Sequence, residues 1–303
     1  MSKIPVLVLA FNRADHVAEA MKAIREYQPE RLYLECDGAR PHKAGEKEAV
    51  EETRKAMLDA VDWPCEVKTL FRDENLGCAN AVYGAISWFF EHEEYGIICE
   101  DDIILSPDFF KLCEELLPRY KDEERVMHIN SEYHKIGVTS SDEYTFAKFM
   151  YCWGWASWRR AWAKMDMTMS GWPSYSKSRL RKEYGHIKGF MYGRYYDRAY
   201  YIISNNLPFS SWAVRWGFSI INNNGFCINP KVQLSKNIGM DTGTHYNQGD
   251  KNPYKLLKTG KLKFPLKHPD SISLDNNQVN VESQDFLHVR IVGLKNRIKK
   301  TLR

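Results

Sequence analysis

A strand-like segment that runs straight into three consecutive acids constrains this chain more than any other feature. Tyr95 to Cys99 reads as a buried strand, and Glu100-Asp101-Asp102 follows without a break. Like charges this close repel, so holding them at a strand end is costly unless a cation or solvent relieves them. Hard divalent cations favour carboxylate and phosphate oxygens, and magnesium or manganese commonly bridges one or two carboxylates to a diphosphate. The alternative is a solvated acidic turn capping the next helix.

The segments before those acids set the context. Ile4 to Ala10 is a nearly continuous apolar run, as expected of a parallel strand buried on both faces. Val17, Ala20, Met21 and Ile24 then fall on one helical face. Arg31 to Cys36 reads as a strand ending in the turn Asp37-Gly38, followed by a charged helix from about Lys43 to Ala60. Cys65 to Phe71 is a third strand, and Asn75-Leu76-Gly77 turns into a helix through Ala79, Val82, Tyr83, Ile86 and Phe90. This alternation predicts a Rossmann-like, doubly wound α/β sheet with helices on both faces. Such sheets bind ligands beyond the carboxyl ends of their strands. Asn12-Arg13, Asp37-Gly38, Asn75 to Gly77 and the acids all lie at such ends.

Later segments are harder to read. Phe109 to Tyr120 suggests a helix, Val126 to Asn130 a strand, and Phe226 to Val232 a late strand. Trp153 to Trp162 is placed on a loop leading into a helix, residues 166–200 read as mainly helical, and Asn237 to His245 as a loop. The aromatics concentrated between Tyr144 and Trp216 fit either a dense second lobe or a groove for sugars.

Other phosphate-binding chemistries lack their signatures: there is no G-x-G-x-x-G after the first strand, no P-loop and no G-x-S-x-G elbow. A net charge of only +4 gives nucleic-acid binding little support. Seven scattered cysteines without a CxxC pair argue against a disulfide framework or zinc site and fit a reducing compartment. With no signal-like segment or apolar run near the ~20 residues of a membrane span, a cytoplasmic location is expected.

The segment Glu100-Asp101-Asp102-Ile103-Ile104-Leu105-Ser106-Pro107-Asp108-Phe109-Phe110 resembles the E-D-D-x-x-x-x-P-D-F-F stretch of the N-acetylglucosaminyltransferase I family. It is closer still to bacterial, hemolysin-like sugar transferases of that superfamily. Cys152 to Trp162 is similar to their C-W-G-W-A-[ST]-W-x-x-x-W block, and Asn237-Ile238-Gly239 with Thr244-His245 resembles their N-I-G and T-H ending. The matches span roughly residues 4–245.

The resemblance implies a GT-A fold, a nucleotide-diphosphate sugar as donor and manganese or magnesium as cofactor. Donor contacts would come from Ala10, Phe11, Asn12, Arg13, Asp37, Arg72, Asn75, Gly77, Glu100 and Asp101. Asp102 would be the direct metal ligand, with His245 a further metal or diphosphate contact. The expected reaction is inverting transfer, from a uridine-diphosphate sugar, to a glycan or lipid-linked acceptor in polysaccharide biosynthesis. A sugar nucleotidyltransferase and a carbohydrate-binding or inactive homologue are the rival readings.

Indole faces suit the C–H surfaces of sugars, so Trp153, Gly154 and Trp155 are expected at the donor sugar or acceptor, with a Trp-rich hinge packed in the core as the alternative for Trp158 and Trp162. Arg215 is a candidate for the diphosphate or an acidic acceptor. An inverting transfer needs a base within hydrogen-bond reach of the acceptor hydroxyl. The resembled enzymes often carry an Asp near a W-x-x-x-W segment, but Trp212 to Trp216 contains no acid. Asp241 and Glu132 are the base candidates, with Asp197 a further substitute.

These expectations make residues 1–248 a GT-A domain, with a nucleotide-sugar half at 1–110 and an acceptor half at 111–248. An extended linker at 249–285 and a basic amphipathic helix at 286–303 would follow, the helix suited to the anionic inner face of the cell membrane.

Overall fold

Apolar strands buried on both faces and helices with one apolar stripe assemble here into a three-layer α/β structure. The computed structural model describes residues 3–133, 142–240 and 258–274. The first half alternates as expected: β1 (Val6–Ala10), α1 (Ala14–Tyr27), β2 (Arg31–Cys36), α2 (Glu46–Asp59), β3 (Glu66–Phe71), α3 (Cys78–His92) and β4 (Tyr95–Glu100). All five residues of β1 are buried, and α1 buries Val17, Ala20, Met21, Ile24 and Tyr27 at helical spacing. There follow β5 (Ile103–Leu105), α4 (Pro107–Arg119), β6 (Val126–Asn130), β7 (Tyr144–Ala147), β8 (Trp155–Trp158) and α5 (Arg159–Trp162). The remainder is α6 (Lys177–Tyr184), α7 (His186–Ser204), α8 (Trp212–Asn222), β9 (Phe226–Pro230) and β10 (Ser235–Asn237).

Eight strands form one mixed sheet in the order β3-β2-β1-β4-β8-β6-β9-β7. The pairs β3–β2, β2–β1, β1–β4 and β6–β9 are parallel, whereas β8 runs antiparallel to both β4 and β6, and β7 antiparallel to β9. Helices α1, α2 and α4 pack together, and α3 packs with α5 and α8, which covers both faces. The expected Rossmann-like, doubly wound mixed sheet with helices on both faces is therefore the fold. A small antiparallel pair, β5 with β10, stands beside the main sheet.

The structure corrects the reading of the Trp block. Trp155 to Trp158 is not a loop but a wholly buried strand between β4 and β6. Burial on both faces removes the polar alternation that would have marked it. Its indoles tie the layers together: Trp158 Nε1 donates to Leu117 O at 2.9 Å and Trp162 Nε1 to Ser87 Oγ at 3.0 Å. Trp155 stacks on His128 and Trp212 with ring centroids 4.8 and 5.6 Å away. A second aromatic cluster, around Trp172, Tyr184, Tyr196 and Phe218, holds α6, α7 and α8 together as a separate lobe.

Part of the expected linker falls within the described residues. Residues 258–274 are extended yet docked: Leu262 and Leu266 are buried, and the Leu262 amide donates to Asp108 Oδ2 at 2.9 Å. The remaining residues of that stretch, and the basic helix expected at 286–303, lie outside the described residues. Among the described residues no helix is long and apolar enough to cross a membrane.

His128 in β6 supplies a pH-dependent component of stability. It is fully buried, accepts from Trp216 Nε1 at Nδ1 (3.1 Å) and donates from Nε2 to Tyr151 O (3.1 Å), which fixes a neutral tautomer. Burial takes it from the ordinary 6.5 down to about 3. Below pH ~6.5 the unfolded chain therefore takes up a proton that the folded chain refuses, and stability falls with pH by up to ~1.4 kcal/mol per unit. Substituting His128→Gln should cost stability at neutral pH but flatten this acid slope. Urea midpoints between about pH 7.5 and about pH 5, on either side of the ordinary histidine value, check it; parallel profiles for the two proteins would contradict it.

Candidate active site

The carboxyl ends of β1, β2 and β4 bring the predicted polar loops to one rim. Arg13, just past β1, donates through Nε to Asp101 Oδ2 at 3.2 Å, and its Nη2 bonds Asp101 Oδ1 and approaches Asp102 Oδ2 at 3.1 Å. Burial works against the Arg13 charge, but Asp101 and Asp102 outweigh it and hold the guanidinium above its ordinary value. Burial, then the charges of Asp102 and Asp101, push Glu100 up to about 8; burial pushes Asp101 up to about 6 despite Arg13. The rim is thus an acidic cluster that one arginine only partly neutralises.

Asp102 is the informative member. Its Oδ1 is buried without a hydrogen-bond partner, an arrangement natural proteins seldom leave unanswered. Its backbone carbonyl accepts from the Ile238 amide at 2.9 Å, just after β10. A Cβ on Gly239 would collide with Asp102 Oδ2, so only glycine lets the Asn237-Ile238-Gly239 segment close over this carboxylate. The β5–β10 pair thus joins two segments of the resemblance that stand more than a hundred residues apart in the chain. His245 and Asp241 lie outside the described residues. Among the described residues no group of three or more His, Cys, Asp or Glu side chains converges as a metal cage. A single carboxylate oxygen left open is still what a magnesium or manganese ion completed by phosphates and water requires.

Asp37 organises the neighbouring loop. It is buried, and Oδ1 accepts from the Gly38 and Leu76 amides at 3.0 Å each. Oδ2 accepts from Asn75 Nδ2 at 3.0 Å and the Gly77 amide at 3.2 Å. These bonds hold Gly77 at φ +73°, where α3 begins. Asn12 donates to Glu46 Oε1 at 3.1 Å, and Glu46, held down to about 2 by hydrogen bonds from Arg40, ties the 40–46 turn to the rim. Phe11 lies under the Arg40 guanidinium at 5.5 Å, and Ala10 is the buried last residue of β1. Sequence reasoning missed Glu46; its place in the first turn of a charged helix gave no sign of it. Arg72 reaches Glu35 Oε1 at 3.4 Å, which ties it to a buried carboxylate of β2.

The acceptor-side residues divide. Trp153 is buried, and its amide donates to Glu132 Oε1 at 2.7 Å. Gly154, at φ +78°, fits against Leu105, where a Cβ would collide. Trp155 is corrected from a sugar contact to a core residue: it is fully buried within the indole stack. Glu132 is buried beside the rim, close enough for its charge to bear on Glu100. Asp197 lies on α7, holding Trp172 Nε1 at 3.1 Å and Lys177 Nζ at 2.6 Å, an arrangement that serves the second lobe. Arg215 on α8 is buried and donates to the carbonyls of Met167, Phe209 and Ser211 at 2.8–3.2 Å.

No protein-family model and no curated protein sequence matches the chain. Among solved structures it is similar to the glycosyltransferase GlyE of Streptococcus pneumoniae TIGR4, at 10% identity and a TM-score of 0.29, over 76% of this chain and 55% of that one. It is similar to the inositol-1-phosphate CTP transferase of T. maritima at 12% identity and a TM-score of 0.31, over 56% of this chain and 76% of that one. HddC from Yersinia pseudotuberculosis matches at 18% identity and a TM-score of 0.27, over 38% of this chain and 54% of that one. The chain spans little more than half the length of HddC and GlyE.

Proposed function

We propose that the protein is a metal-dependent glycosyltransferase that moves a sugar from a nucleotide-diphosphate donor to a glycan or lipid-linked acceptor, with inversion. The observation that carries this reading is the open, buried Oδ1 of Asp102 at the carboxyl end of the parallel strands. Asp102 would hold manganese or magnesium in this reading, with His245 as a second contact. The bound ion would supply Lewis-acid stabilisation of charge on the departing nucleoside diphosphate.

The protein's own groups have distinct tasks in this scheme. Asp101 holds one edge of the Arg13 guanidinium through two hydrogen bonds, so that it is fixed before a donor arrives. Asp37 sets the course of the 75–77 loop and so the width of the donor crevice. Glu132, beside the acids and aligned by the Trp153 amide, takes the proton from the acceptor hydroxyl. Asp241 is the other base to be weighed. A uridine-diphosphate sugar is the donor the family resemblance favours.

Product identity tests the assignment. Incubation with manganese and a panel of uridine-, guanosine- and thymidine-diphosphate sugars should release free nucleoside diphosphate with one base class. Pyrophosphate release from a nucleoside triphosphate and a sugar phosphate would instead make the chain a nucleotidyltransferase. Neither product with any pair would leave a carbohydrate-binding homologue.

A further inference from the structure

Three arginines of the donor half each face a carboxylate: Arg13 meets Asp101 and Asp102, Arg31 meets Glu93, and Arg72 meets Glu35. Arg215 does not. It is only 8% exposed, and all its hydrogen bonds run from Nε and Nη1 to backbone carbonyls. Burial alone lowers its affinity for the proton, with no acid nearby to offset the cost. An arginine held rigidly by carbonyls, with no bond from Nη2 and no counter-ion among the described residues, is a charge prepared for something from outside.

The space beside it fits that role. Arg215 lines a cleft of about 750 Å³ between the start of α3 and the connection from α7 to α8, and it is the one charged side chain on the cleft's described lining. The opposite wall is the N-terminus of α3, a helix of 15 residues whose start has no side-chain cap. Its first residues, Cys78 and Ala79, line the same cleft, at the positive end of the helix dipole. Leu76 and Leu207, 42% and 47% exposed, and the Phe209 ring give the remaining wall an apolar character. Gly77 belongs both to this cleft and to the loop held by Asp37, so the cleft adjoins that loop.

We propose that this cleft takes an anionic, amphiphilic acceptor, its phosphate or carboxylate held between Arg215 Nη2 and the amides of Cys78 and Ala79, its apolar body along Leu76, Leu207 and Phe209. Only the word acceptor rests on the transferase reading; the anion site stands on the cleft itself. Arg215 is then the residue that selects charged over neutral acceptors.

Binding without donor or metal tests this separately from transfer. Octyl phosphate, octyl glucuronide and octyl glucoside, kept below their micelle concentrations at low ionic strength, present one tail with different heads. Both anions should bind about 10- to 100-fold more tightly than the glucoside, the range of one or two charge-assisted hydrogen bonds. Preference for the phosphate would identify a phospholipid-type carrier, and preference for the glucuronide an acidic glycan. Arg215→Gln should collapse the preference to within about threefold, the residue of the helix terminus alone. Because Arg215 also ties three carbonyls, Leu207→Glu provides a second variant at an exposed position: all three probes lose part of the tail contact, but both anions should weaken at least tenfold more than the glucoside (~1.4 kcal/mol). Equal binding of all three probes overturns the proposal, as does an anion preference that survives Leu207→Glu. Displacement of the anions by uridine diphosphate with manganese also overturns it, since the anion would then sit in the donor crevice.

Discussion

Replacing Asp102 by Asn should lower the rate of sugar transfer by about a thousandfold, the scale expected when Lewis-acid stabilisation worth several kcal/mol is withdrawn. Asn keeps the shape of the side chain, so the fit against Gly239 survives. Asp101 still anchors Arg13 through two hydrogen bonds, so the rim keeps its form. What disappears is the charge on the open carboxylate oxygen that a hard cation would use. Stability should move the other way. Removing one of three neighbouring acids relieves repulsion, so the metal-free variant should melt no lower than the native protein.

Thermal shift with uridine diphosphate, with and without manganese, measures both consequences. The native protein should be stabilised by the pair, because ligands of the folded state raise apparent stability, and the variant should lose the manganese-dependent part. Gly239→Ala provides a companion that leaves every charge in place. Its Cβ would force Asp102 to move, and the same metal dependence should weaken. Wild-type manganese dependence in Asp102→Asn would remove the ground for the proposed mechanism.

Trp155→Ala should destabilise the fold by about 3–5 kcal/mol, the range for emptying a large aromatic site in a core. That is a large share of the ~5–15 kcal/mol by which domains are stable. The indole lies between His128 and Trp212 and also meets Trp162 and Trp216, with no exposure to solvent. Its Nε1 makes no hydrogen bond, so the residue contributes shape and apolar surface rather than polar recognition. Trp155→Phe keeps a ring in the stack and sheds only an unpartnered N–H. It should cost well under half as much as Ala.

Urea midpoints at constant slope give the comparison. If Trp155→Phe were as stable as the native protein yet failed only with the sugar acceptor, the indole would be a substrate contact after all, and the burial argument would fail. Near-equal losses of stability for Phe and Ala would contradict the stack as the source of the effect.

The sequence alone determined the first sheet half, because its signals are local. A continuous apolar run such as Val6 to Ala10, or a helical stripe such as Val17, Ala20, Met21 and Ile24, carries its burial pattern in its own spacing. The same locality put Arg13, Asp37, Asn75 and the acids at strand ends, where the topology then joined them. Tertiary structure decided the rest. Trp155 to Trp158 has no alternation because both faces are covered, so its insertion as the antiparallel strand between β4 and β6 depends on partners distant in sequence. Nor does any local pattern tell that Asp37 is bound by four donors, that Glu46 anchors the rim turn, or that Arg215 meets no counter-ion among the described residues. The charge or hydrogen bond that gives each such group its task is supplied by residues brought near only when the chain closes. A sequence names the chemical groups; folding decides which of them are already satisfied, and the unsatisfied ones, here Asp102 and Arg215, are where function is to be sought.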